Sequence, residues 1–94
     1  MTKIPREQTG RIWQGQGVDV IRKTLAPGGS IPAHSHPQKN VLVILVRGEL
    51  RIKHNDSINL TAGELATFPG DIQVSLQAGQ AGAEFLVFLL NHGN

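Results

Sequence analysis

Ninety-four residues at 10.1 kDa make one domain, because independently folding units rarely fall below about 50 residues, and they leave little room for a large cofactor. The absence of cysteine excludes a disulfide scaffold and a zinc–thiolate site. A net charge of only +2, basic residues interleaved with acids and an aromatic content of 4% supply neither the basic stripe nor the stacking platform of a nucleic-acid binder.

Residues 1–8 are polar around Pro5 and lack the apolar run of an export signal. They read as a loose tail or as an arm that completes a partner's sheet, with one barrel domain over 9–94. No later stretch reaches the roughly 18 apolar residues of a membrane helix, so the expected compartment is the cytoplasm and no membrane partner is expected. Gly and Pro recur too often for an apolar period of 3.6, which limits helix to little or nothing. Short apolar or alternating runs between turn signals instead predict about nine strands. They lie at Arg11 to Gln14, Val18 to Leu25, Ser30 to His36, Val41 to Val46, Glu49 to Lys53, Ser57 to Thr61, Leu65 to Phe68, Ile72 to Gln77 and Ala83 to Leu90.

The hairpin across His54-Asn55-Asp56 places Leu50 and Ile52 inward beside Leu60 and Ile58. Upstream, Val41, Val43 and Leu45 are the inward set, so the parity of inward positions changes between Leu45 and Leu50, and Gly48 is the residue that permits the change. The runs 41–46 and 85–90 are apolar on both faces, more than one barrel interior takes up. A folded chain of this mass exposes roughly 5,300 Å² and hides somewhat under two-thirds of its unfolded surface. Such a core is thin, and a homodimer that covers the outer apolar face is the expected assembly.

His34-Ser35-His36 is the chemical feature of the sequence. Residues i and i+2 of a strand share a face, so two imidazoles there can hold one cation or act together on a ligand. The bland alternative is a pair of polar residues in a loop flanked by Pro32 and Pro37. His54, at a hairpin tip, and His92, in a Gly-rich tail, read as solvated.

Gly28, His34, His36, Gly48, Gly63 and Pro69 stand at the spacings of two sequence motifs, and in them the chain resembles the cupin superfamily from Gly28 to Leu90. The resemblance implies an all-β fold, a double-stranded β-helix (jelly-roll) barrel of about six to eight strands with a pocket at one mouth. It also implies a metal held by three histidines and a glutamate. Here the glutamate position falls on Val41, or on Asn40 with the shorter spacing, the third histidine on Val74, the motif's second glycine on Asp71 and its terminal asparagine on Ala78. Two of the four implied ligands are therefore valine.

The expected metal ligands are His34 and His36 alone, with water or an amide such as Gln38, Asn40 or, less favourably, Gln73 completing the shell of a weakly bound divalent ion, if any cofactor is present. The leading reading is a metal-poor barrel that binds a small molecule over Val41, Val43, Val74 and Leu76, with His34, His36, Gln38 and Asn40 around it; its limiting case is a structural barrel without ligand. The alternatives are a metal-dependent cupin enzyme of dioxygenase, isomerase or lyase type with nonstandard further ligands, and a metal-free enzyme in which one histidine is a general base and the other a hydrogen-bond donor.

Overall fold

Two changes of inward parity organise the fold. A computed structural model describes residues 1–91 of the chain; His92 lies outside the described residues. Among the described residues seven strands follow one another without a helix: β1 (Gly10–Gly15), β2 (Val18–Leu25), β3 (Ser30–His34), β4 (Lys39–His54), β5 (Asp56–Thr61), β6 (Leu65–Pro69) and β7 (Val74–Asn91). Every pairing between them is antiparallel.

The long strands β4 and β7 form the spine. The later half of β7 runs between β2 and the early half of β4, and β1 and β6 extend this layer on either side. The early half of β7 runs between β3 and the later half of β4, which in turn pairs β5. Two sheets thus share two strands that bend from one into the other, which is the double-stranded β-helix.

The separate runs 41–46 and 49–53 belong to one strand, and so do 72–77 and 83–90 apart from residues 72 and 73, so nine expected strands become seven. The reason is that the bends are bulges rather than breaks. The β4–β7 ladder shifts register between Leu45 and Arg47 and again between Gly48 and Leu50, where the partner skips from Ala83 to Ala78. Inward positions accordingly change from Val41, Val43 and Leu45 to Leu50 and Ile52 on β4. On β7 they change from Val74, Leu76 and Ala78 to Ala83, Phe85, Val87 and Leu89, and all of these are buried. Gly48 has a φ of +91°, as the change of phase requires.

Phe85, Leu45, Leu50 and Val43 are the most completely buried side chains, placing the centre of the core where the two sheets meet. Leu60 joins that core, but Ile58, expected to do the same, is 49% exposed. It shares the face of its partner Ile52, yet β5 ends the strand order and its first half is exposed.

Pro5, Arg6 and Gln8 lie against their own barrel. Arg22 Nη1 donates to the carbonyls of Pro5, Arg6 and Gln8 at 2.9, 3.0 and 3.1 Å. Beneath them the buried Glu84 faces Arg6, Arg22 and Arg47 at 3.7, 4.0 and 3.4 Å. A buried carboxylate persists because those guanidinium groups compensate its lost hydration.

Candidate functional site

The inner faces of five strands enclose a cavity of about 380 Å³. Its walls are Ile21 and Lys23 from β2, Ile31, Pro32 and His34 from β3, Val41 and Val43 from β4, Phe68 from β6, and Val74, Leu76 and Val87 from β7; His36, Gly70 and Ile72 complete it from the connecting segments. A shallower hollow of about 510 Å³ on the outer face of β4, β5 and β7, bordered by Glu49, Arg51, Asn59 and Gln77, contains no histidine.

Strand geometry positions the two imidazoles. His34 ends β3 directly opposite Val74, and His36 follows two residues on, so both border the same cavity. Their ring centroids are 4.8 Å apart with planes at 82°, an edge-to-face pair. His34 Nδ1 lies 3.0 Å from the Pro32 carbonyl oxygen. A carbonyl only accepts, so Nδ1 carries the proton and Nε2 of the neutral ring is left as an acceptor or ligand.

The segment bearing His36 is clasped by Gly70. The His36 N–H donates to the Gly70 carbonyl and the Gly70 N–H to the Lys39 carbonyl, both at 2.7 Å. A Cβ on residue 70 would collide with the carbonyl oxygens of His36 and Lys39. Only glycine permits this approach, and the residue that does it stands one position before the one the motif spacing indicated.

Val41 and Val74 border the cavity beside the histidines, as their motif positions imply. Gln38 and Asn40 do not line it. Asn40 alternates with Val41 along β4 and therefore faces outward, over a separate hollow with Leu42, Thr67 and Leu90. Gln38 sits in a turn at φ +67° with its backbone N–H donated to Asp71 Oδ1 at 3.2 Å. Gln73 is exposed and offers its carbonyl to His54 Nδ1 at 2.7 Å, which ties down a histidine that had read as merely solvated.

The metal implied by the resemblance therefore does not fit this donor set. Two imidazoles face two valines, and no group of three or more His, Cys, Asp or Glu able to hold an ion occurs among the described residues. Two nitrogens supply half of a tetrahedral shell.

Lys23 is the charged residue of the cavity, and the sequence reading does not include it among the site residues. It lies on the inner face of β2 between Ile21 and Leu25, opposite the buried Phe85. The alternation Ile21-Lys23-Leu25 was the available signal, and a lysine at an inward position stands out as costly.

Burial holds the His36 imidazole below its ordinary pKa of 6.5, with the nearby His34 and Lys23 acting in the same direction. The folded state thus binds fewer protons than the unfolded chain between the lowered value and 6.5, and stability falls as pH drops through that window. Urea midpoints measured from pH 7.5 to 5 should decline more steeply for the native chain than for His36→Gln. Parallel profiles would contradict the assignment.

The cupin-domain family profile matches residues 21–88. A germin-like protein of Morus alba is 36% identical over 80 residues, covering 78% of this chain and 38% of its own length; one from Ipomoea nil is 40% identical over 60 residues, covering 64% and 28%. The chain spans well under half the length of these relatives. Among solved structures, an RmlC-like cupin protein from Desulfovibrio desulfuricans superposes with a TM-score of 0.78 at 15% identity, covering 96% of this chain and 89% of that one. With the family profile spanning most of the barrel and the jelly roll shared with such structures, this chain belongs to the cupin-domain family.

Proposed function

We propose that the barrel binds a small organic molecule, with His34 and His36 as polar contacts over a floor of Val41, Val43, Val74 and Leu76, and that it does so without a required metal. The observation that carries this reading is the cavity itself. Its volume of about 380 Å³ and its largely apolar wall with a few nitrogen donors match the usual make-up of small-ligand sites. Chemistry dependent on a tightly held metal would need donors where the wall offers valine.

Two measurements test it. Elemental analysis of protein purified without a nickel column should find divalent metal well below one per chain, and a tightly held stoichiometric ion would overturn the metal-free reading. Backbone amide shift mapping with a panel of small aromatic and aliphatic fragments should give perturbations centred on Val41, Val43, Val74 and Leu76. Perturbations scattered over the outer surface would overturn the binding reading.

A second copy of the chain belongs to the same proposal. The outer face of β1, β2, β7, β4 and β6 carries Trp13 (50% exposed), Leu65 (54%) and Val46 (43%) around the half-buried Val20, Leu42, Ile44, Leu86, Phe88 and Leu90. Sedimentation at micromolar concentration should show a dimer that survives high salt, and Phe88→Lys should release a folded monomer. A native monomer would remove this part of the proposal.

A further inference from the structure

We infer that the cavity selects an organic anion, a carboxylate on an apolar body, and that Lys23 is the residue that confers this preference. This rests on the reading that the barrel binds a small molecule and adds the chemical class of that molecule.

The argument begins with the composition of the wall. All the charged or titratable side chains that border the cavity, Lys23, His34 and His36, are nitrogen bases, and no Asp or Glu is among the lining residues. Lys23 has no carboxylate within 4.0 Å and makes no side-chain hydrogen bond among the described residues. The arginines of the outer face differ: Arg6, Arg22 and Arg47 surround Glu84, and Arg11 faces Asp19 at 3.5 Å. Among the described residues Lys3, Lys39, Arg51 and Lys53 likewise face no carboxylate within 4.0 Å, but of these cations it is Lys23 that lines the cavity.

An ammonium group on an apolar wall loses hydration and is stabilised by an anion that brings its own charge to the cavity. Lys23 lies near enough to His36 to disfavour protonation of that ring, after burial and His34. The two imidazoles add hydrogen-bonding groups beside the ammonium, so a negatively charged group is the complement of the site. Around the bases, Ile31, Val43, Val74 and Leu76 accept only hydrocarbon. At the roughly 30 Å³ that one water takes in the liquid, the cavity holds about a dozen non-hydrogen atoms, the size of a small aromatic or medium-chain monocarboxylate.

Phenylacetate and its uncharged amide isostere, phenylacetamide, are the probes, titrated into the native chain and into Lys23→Met and Lys23→Arg while backbone amide shifts are followed. The native chain should bind phenylacetate about tenfold or more tightly than the amide. Lys23→Met should erase that preference, the two probes then binding within about twofold of each other, and Lys23→Arg should keep part of it. The methionine variant should fold with equal or higher stability, because it removes an unpaired cation from an apolar wall. Equal binding of both probes to the native chain would overturn the anion preference and leave small-molecule binding standing. A preference that survives in Lys23→Met would overturn the role of Lys23. Absence of any perturbation of the cavity residues by either probe would overturn both this inference and the reading beneath it.

Discussion

Replacing Val41 by glutamate and Val74 by histidine together should raise the affinity of the barrel for a divalent ion such as Co²⁺ by about a hundredfold or more. The geometry for this gain is already built. Val74 is paired directly across the β3–β7 ladder from His34. Val41 borders the same cavity from β4 and is 3% exposed, so a carboxylate placed there has the ion as its natural partner. Without metal that carboxylate is a buried, poorly solvated charge, and the double variant should melt below the native chain. Saturating Co²⁺ should then restore its midpoint, because an ion bound only by the folded state stabilises it in proportion to the logarithm of its concentration over Kd. Each single variant should fall between. Lys23 opposes the effect by repulsion, so adding Lys23→Met to the double variant should strengthen binding further. A flat Co²⁺ titration of the double variant would show that residues 41 and 74 do not share a centre with His34 and His36.

The parts of the fold that were legible in the sequence are those written in strand alternation. The odd set Val41, Val43, Leu45 and the even set Leu50, Ile52 could be read directly, and with them a change of phase near Gly48. Whether that change is a break or a bulge is not written there, because alternation fixes which face a residue takes and says nothing about whether the backbone ladder continues; the two long strands therefore read as four. The same rule carried information that the site reading did not use. Val41 and Asn40 are adjacent on one strand and cannot both face the cavity, so choosing Val41 as inward already sends Asn40 out. Lys23, between Ile21 and Leu25, is the converse, a charged residue that alternation puts inside although lysine is ordinarily exposed. Gln38 and Gly70 lie in connecting segments, where face is set by turn geometry and hydrogen bonds from distant residues such as Asp71 and Lys39, and no local pattern announces it.

Gly48→Val should be the most destabilising single substitution at the bends, with a loss of about 4 kcal/mol or more, out of the roughly 5–14 kcal/mol that holds a domain of this size together. Two separate costs combine. A φ of +91° is a conformation that a β-branched residue adopts only at about 1–3 kcal/mol. The second is collision: a Cβ on residue 48 would run into the Gly82 carbonyl oxygen, with its carbon at 2.8 Å and Ala83 Cα at 3.1 Å. These atoms are backbone of the neighbouring strand and cannot swing aside as a side chain would. The molecule supplies its own control, since Gly63 has the same φ of +91° with nothing within 4 Å of the corresponding Cβ. Gly63→Ala therefore measures the dihedral cost alone, about 1 kcal/mol, and Gly48→Ala measures dihedral and collision together. Urea denaturation of the two alanine variants should separate their midpoints clearly, with Gly48→Ala the less stable and Gly48→Val lower still. Equal midpoints for the alanine pair would mean that β4 and β7 do not approach each other at the bend as closely as their ladder requires. The close passage of the two long strands would then lose its part in turning Leu50 and Ile52 into the core.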